Sequence, residues 1–239
     1  MGRLILIRHA QASFLQQNYD KLSALGETQA RLLGEYWAQR NVILDRVYTG
    51  PRVRQKDTGK LMSDEYRKSG LKSPTPFVLP EFDEYQAEAV LQCGLPQLLE
   101  TSAGIRELHR AFRTSASSSE RSSNFQKLFE AVTAEWVRGT IPLPSVEPWP
   151  EFCSRVNLGL SKIMANGGRG EQVAIVTSGG PIAVAMQRAL NLSPRHSLQV
   201  SWMSRNCSWS EFLYAGDRFT LSAFNTHPHL NDPAVLTYR

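Results

Sequence analysis

Apolar and polar positions follow one another along this chain in blocks that predict strands and helices in turn. Residues 4–7, LILI, are an unbroken aliphatic run of the kind that forms a strand buried on both faces. A polar loop follows to about Asp20. In LSALGETQARLLGEYWAQR (22–40), Ala30, Leu33 and Trp37 recur at helical spacing. DRVYTG (45–50) predicts a short strand, and PRVRQKDTGKLM after it predicts a helix that takes Pro51 into its first turn. TPFVLPEF (75–82) reads as extended, with a proline on each side of its apolar centre.

The middle of the chain is less regular. AVLQCGLPQLLE (89–100) and SAGIRELHRAF (102–112) predict helical pieces, broken near Gly94 and Pro96. The serine-rich TSASSSERSS (114–123) predicts a surface loop or mobile segment. From about Phe125 to Val137 a helix is predicted, because Phe125, Leu128, Phe129, Val132 and Trp136 share one face. The proline-rich GTIPLPSVEPWPE (139–151) is a connector, and Phe152, Val156, Leu160 and Ile163 mark the stripe of the next helix. Residues 172–177 predict a strand and Pro181–Leu190 a helix. Two last runs, near 207–214 and 218–224, predict adjacent strands joined at Ala215-Gly216-Asp217.

Strands alternating with amphipathic helices at both ends predict a three-layer α/β/α fold with a mainly parallel central sheet. One domain over 1–239 is expected, with about 85–150 inserted as a helical cap that roofs the pocket. Apolar residues are 41% of the 239, enough for a sizeable core, and the net charge of +5 suits an anionic ligand. The densest basic cluster, RVRQK (52–56), has no interleaved aromatic residues, so no nucleic-acid partner is expected. The first apolar run is too short for a leader or a membrane span, so no membrane partner is expected either. Cys93, Cys153 and Cys207 are widely spaced and odd in number, which predicts free thiols in a reducing, cytoplasmic setting. No metal or cofactor is expected, and the oligomeric state is left open.

The candidate chemistry lies where strands stop. LILIRHAQAS (4–13) passes from an aliphatic strand straight into Arg8-His9, and VAIVTSGGPI (173–182) ends its strand in Thr177-Ser178-Gly179-Gly180. Ligands of open α/β sheets bind beyond such carboxyl ends. Helix N-termini near Pro181 and near Gln11 would offer free N–H groups to an anion. A phosphate group fits this setting. Arg8 can clamp it with two parallel hydrogen bonds, and a neutral His9, its pKa lowered by neighbouring arginines, can act as nucleophile.

These residues resemble the histidine phosphatase superfamily, which includes the cofactor-dependent phosphoglycerate mutases. The family's Arg-His-Gly signature reads Arg8-His9-Ala10 here, with less backbone freedom at the third position. LSALGETQA (22–30) is similar to its Leu-x-x-x-Gly-x-x-Gln-Ala stretch, and VYTGPRVRQKDT (47–58) places Arg54 as its second phosphate-binding arginine. LPEFDE (79–84) is similar to the Leu-x-Glu stretch that carries the proton donor. That resemblance prefers Glu81 over Asp83 and Glu84, with burial near Phe77 or Phe82 raising its pKa. NTHPHL (225–230) resembles a closing Asn-x-x-x-His-Leu segment. The likeness covers both ends of the chain and the middle only loosely.

One departure stands out. Where the family has Ser-His-Gly-Gly, with a histidine that contacts the transferring phosphoryl group, this chain has Thr177-Ser178-Gly179-Gly180. A serine hydroxyl still donates to a phosphate oxygen but carries no charge, a loss of about 1–3 kcal/mol at the transition state. His229 or His227 could fill the gap. Arg52 is read as a solvated charge within reach of an anionic substrate, His109 and His196 as exposed, and the tryptophans as packing residues.

The resemblance implies a phosphatase that hydrolyses phosphomonoesters, on small molecules or phosphopeptides, through a phosphohistidine on His9. Glu81 would be the acid, Arg8, Arg54, Ser178 and Gly179 would bind the phosphate, and Gln11 and His229 would be further site residues. The alternative is a phosphoester-binding protein of the same fold with weak or no turnover. A phosphoglycerate mutase ranks third, because the middle segment departs from the mutase pattern.

Overall fold

The computed structural model describes residues 1–13 and 20–238, so most of the polar loop before Asp20 lies outside the described residues. In chain order the elements are β1 (Gly2–Arg8), α1 (Ala24–Gln39), β2 (Arg46–Thr49), α2 (Val53–Lys68), β3 (Phe77–Val78), α3 (Ala87–Thr101), α4 (Ala103–Arg113), α5 (Ser118–Arg138), α6 (Trp149–Ala165), β4 (Gln172–Thr177), α7 (Gly179–Leu190), α8 (Pro194–Met203), β5 (Trp209–Ala215) and β6 (Arg218–Thr226). They form two compact units, Met1–Glu84 with Arg155–Arg239, and Tyr85–Ser154.

The first unit is built on a mixed six-stranded sheet in the order β3-β2-β4-β1-β5-β6. Strands β3, β2, β4 and β1 are parallel, and β5 and β6 close the other edge as an antiparallel pair. Central parallel strands must be covered on both faces, and their aliphatic sequences reflect this. Ile5, Ile7, Val47, Ala174 and Val176 join one core with Ala30, Leu33 and Trp37 of α1 and Met62 and Tyr66 of α2. Their neighbours Leu4, Leu6, Val173 and Ile175 point to the opposite face and are equally buried. There α7 packs along β1 and β6. The arrangement is the expected three-layer α/β/α fold, with a larger antiparallel share than the sequence suggests.

Several boundaries differ from the sequence reading. Helix α2 starts after Arg52, whose N–H is held by the Gln55 side chain, so Pro51 precedes the cap rather than opening the first turn. Helix α7 starts at Gly179, bringing both glycines into its first turn. Parallel pairing sets Arg8 beside Thr177, and the His9 N–H donates to Thr177 O at 2.8 Å. His9 and Ser178 therefore leave adjacent strands side by side.

The second unit is helical. Helix α3 runs unbroken through Gly94 and Pro96. Packing decides this: a Cβ at Gly94 would lie 2.8 Å from Ile141 Cδ1, so the glycine permits a close approach rather than a break. The serine-rich stretch is helical from Ser118 onward, not a loop. Ser117 Oγ caps the Glu120 N–H, and the Glu120 carboxylate accepts from the Ala116 N–H, so the serines supply a helix start. Tyr85 stacks on Trp136 at 5.0 Å, and Trp149 and Phe152 complete that core. With Trp37 and Trp209 also buried, most of the tryptophans are packing residues as expected. Among the described residues no helix is long and apolar enough to cross a membrane.

Candidate active site

His9 sits at the carboxyl end of β1 and is buried. Its Nδ1 is 2.8 Å from Ala10 O, and its Nε2 is 3.1 Å from Arg54 Nε. A carbonyl can only accept and a guanidinium can only donate, so the ring is the Nδ1–H tautomer with a lone pair on Nε2. Burial, then the charges of Arg54 and Arg8, hold the His9 pKa well below its ordinary value. The imidazole is thus neutral at physiological pH. Its main chain is fixed too: His9 O accepts from Asn206 Nδ2 at 3.2 Å and from the Cys207 N–H at the same distance.

Two arginines flank the ring. Arg8, half-buried, directs Nη1 to the carbonyl of Ser204. Arg54, in the first turn of α2, is buried and also donates Nη1 to Asp20 Oδ1 at 2.7 Å. Asp20 takes the Val53 N–H as well, at 2.8 Å, so one carboxylate covers both the arginine and the α2 N-terminus. Ala10 is fully buried and its N–H donates to Thr58 Oγ1, and its φ is not positive, so the alanine fits without strain.

Ser178 is fully buried at the N-cap of α7, yet its hydroxyl caps nothing. Pro181 has no N–H to offer, and the Gly180 N–H is taken by the Glu84 carboxylate at 3.1 and 3.2 Å. Ser178 Oγ instead accepts from Gln55 Nε2 at 2.9 Å. Successive residues of α2 thus reach successive strand ends, Arg54 to His9 and Gln55 to Ser178. The N–H groups expected to be open near Pro181, at the start of α7, are partly occupied by Glu84, and Asp20 occupies the Val53 N–H at the start of α2.

The structure does not bring Glu81 to this group. Its carboxylate pairs with Lys162 Nζ at 2.6 Å, and that bond holds its pKa below the ordinary carboxylate value rather than above it. Residues 80–82 form one turn of 3₁₀-helix, which buries Phe82, and Asp83 is extended. Glu84 is thereby turned to the α7 N-terminus, while Asp83 pairs with Arg52 Nε at 2.5 Å. The neighbouring Phe82 O is held by Thr177 Oγ1 and Gln55 Nε2.

Gln11 is tied to the start of α1: its Oε1 accepts from Ser23 Oγ at 2.8 Å, and its N–H donates to Gln29 Oε1. The structure does not bring His229 to this group either. Its ring stacks on Trp209 at 5.5 Å and lies 6.2 Å from Tyr36, inside the aromatic core. Burial pushes its pKa down to about 3. His227 is bound to Arg205 and to Asn225 O. His196 is exposed as expected, whereas His109 is half-buried. Asp20 and Gln55 were not singled out by sequence. The one signal for Gln55 was its place next to Arg54, and Asp20 carried none. Among the described residues, no three His, Cys, Asp or Glu side chains gather in a metal-binding group.

The model of the histidine phosphatase superfamily (branch 1) matches residues 4–88 and 84–227 of this chain. No curated protein matches it in sequence. Similar solved structures include YhfR of Bacillus stearothermophilus, at 16% identity and a TM-score of 0.65, with 96% of this chain and 99% of that chain covered. A phosphoglycerate mutase from Bacillus anthracis aligns at 16% identity and a TM-score of 0.61, covering 95% and 94%. The native mycobacterial glucosyl-3-phosphoglycerate phosphatase aligns at 21% identity and a TM-score of 0.60, covering 95% and 99%.

Proposed function

This chain belongs to the histidine phosphatase superfamily, and from that premise we propose that it hydrolyses phosphomonoesters, of small molecules or phosphopeptides, through a phosphohistidine on His9. The observation that carries the reading is the state of the ring: neutral, with Nδ1–H anchored on Ala10 O and the Nε2 lone pair facing Arg54. When phosphate arrives, the Arg54 guanidinium turns its N–H groups to the equatorial oxygens and uncovers Nε2. The Nε2–P bond forms as the bond from phosphorus to the leaving oxygen breaks. Arg8, Arg54, the Ser178 hydroxyl and the Gly179 N–H stabilise the charge on those oxygens.

Glu84 is the carboxyl group we assign to proton transfer, in place of Glu81. In its protonated form Glu84 is the acid of the first step. The acid then protonates the leaving alcohol, and its carboxylate accepts a proton from the water that releases phosphate.

The test is release of phosphate from an aryl phosphate by the protein and by His9→Ala, with rapid acid and alkaline quench. Turnover lost in His9→Ala, with acid-labile, alkali-stable phosphate on the wild type, is the expected result. A second reading, a phosphoester-binding protein without turnover, is favoured by the uncharged Ser178 and by Asp20 already occupying Arg54. Equal and negligible release by both proteins, with phosphate still bound, would establish it instead.

A further inference from the structure

Ser178 occupies a buried helix cap in which every usual use of its hydroxyl is closed. A capping serine accepts from the N–H of the second or third helical residue. Here the second, Gly180, is bonded to Glu84, and the third is Pro181. Among the described residues Ser178 Oγ takes one hydrogen bond, from Gln55 Nε2, and gives none.

The Gln55 amide can be oriented in only one way. Its Oε1 accepts from the Arg52 N–H at 3.0 Å, and its Nε2 faces Phe82 O at 3.3 Å. A backbone N–H and a carbonyl fix the oxygen on one side and the nitrogen on the other. The side chain is fully buried, and space is kept for it: a Cβ at Gly50 would lie 2.2 Å from Gln55 Oε1. Both amide protons are therefore spent, one on Phe82 O and one on Ser178 Oγ.

We propose that Gln55 is a positioning residue that fixes Ser178 Oγ as an acceptor, so that its single O–H is delivered to a phosphate oxygen beside His9. A free serine hydroxyl can satisfy itself on a nearby carbonyl and offer only lone pairs to an anion, which would repel it. With Gln55 donating, the lone-pair side is engaged and the proton is left for the ligand. Polarisation along Gln55–Ser178–phosphate strengthens the bond. Glutamine is required because its amide accepts at one end and donates twice at the other; glutamate at this position reverses the last bond and takes the serine proton for itself. This inference rests on the proposed phosphate site, and its test is kept apart from turnover.

Orthovanadate, which takes the place of phosphate, is titrated at neutral pH into the wild type, Ser178→Ala, Gln55→Glu, Gln55→Met and both double variants with Ser178→Ala, after thermal melts show which are folded. One hydrogen bond to a charged oxygen gives an expected loss of about tenfold to a hundredfold in vanadate affinity for each single variant. Each double variant should bind no worse than Ser178→Ala, because Gln55 acts only through that hydroxyl. Gln55→Met supplies the same reading should the glutamate variant not fold. Vanadate affinity unchanged in the Gln55 variants overturns the proposal, as do double variants whose losses multiply, since a general structural role adds to the serine's. A wild type that binds no vanadate overturns it together with the phosphate site. Coupled losses in a protein that hydrolyses nothing would uphold it while removing the enzyme reading.

Discussion

The Glu81 carboxylate is bonded to Lys162 Nζ at 2.6 Å, and this pair commits it to the side of the sheet unit where α6 runs. Gly159 of that helix lies so close that an added Cβ would be 2.7 Å from Glu81 Cβ. Glu84 alone of the two glutamates reaches the α7 N-terminus, where Ser178 is the N-cap. Glu84→Gln should therefore lower kcat for an alkyl phosphate by about a hundredfold or more, the usual share of a positioned acid. Glu81→Gln should leave kcat within about threefold and cost stability by no more than about 1 kcal/mol, since Lys162 is exposed. Steady-state kinetics on the two variants decide; the reverse ranking would return the acid role to Glu81.

His9 must be uncharged to attack, and its pKa is held well below 6.5 by burial and by the Arg54 and Arg8 charges. The nucleophile is lost only when pH falls through that lowered value, so kcat/KM should show no fall centred near 6.5 on the acid side. Arg54→Gln removes the charge that acts more strongly on His9 of the two. The acid limb should then move up in pH, beside a fall in rate of about tenfold to a thousandfold from the missing phosphate contacts. A pH–rate profile whose acid limb stays in place in Arg54→Gln would show that Arg54 does not set the histidine's charge.

The fold was legible because the central strands are buried on both faces, which leaves an unmixed aliphatic signature in residues 4–7 and 173–176. The Arg8–His9–Arg54 group was legible for the same reason: it sits directly at those strand ends, in register with the family's motifs. What escaped depended on geometry that sequence spacing does not carry. Glu81 and Glu84 are separated by a single 3₁₀ turn and an extended Asp83, and that change of direction decides which carboxylate faces α7. Serine-rich composition hid the start of α5, because capping by Ser117 and Glu120 outweighs weak helix propensity. Gln55 was not singled out because its importance arises from two partners distant in sequence, Phe82 and Ser178.

Two buried histidines tie stability to pH. The folded-state pKa values of His9 and His229 lie below the ordinary value, that of His229 near 3. Below about pH 6.5 the unfolded chain binds protons that the folded chain refuses, so stability is full above 6.5 and declines as pH falls toward those lowered values. Each histidine contributes a slope of about 1.4 kcal/mol per pH unit across that window. His229→Phe keeps the stack on Trp209 and removes one titrating group. Urea unfolding at several pH values should then give a shallower decline than the wild type between pH 6 and 4. Parallel declines would show that His229 titrates alike in both states.

The Ser178–Gln55 contact also predicts what happens when a histidine is placed at residue 178. Ser178 is fully buried, with Gln55 Nε2 2.9 Å from its Oγ, so an imidazole at 178 has no room while Gln55 stays. Ser178→His alone should overpack the site and cost about 1–3 kcal/mol. Gln55→Ala opens a space on the same side, so Ser178→His with Gln55→Ala should be more stable than the sum of the two single changes by about 1 kcal/mol. In that double variant the imidazolium can donate a charge-assisted hydrogen bond to phosphate. Turnover should then exceed that of Gln55→Ala by about tenfold. Urea midpoints of the four proteins and their aryl phosphatase rates test both halves. A Ser178→His protein as stable as the wild type would mean that the pocket at α7 is looser than its buried contacts imply.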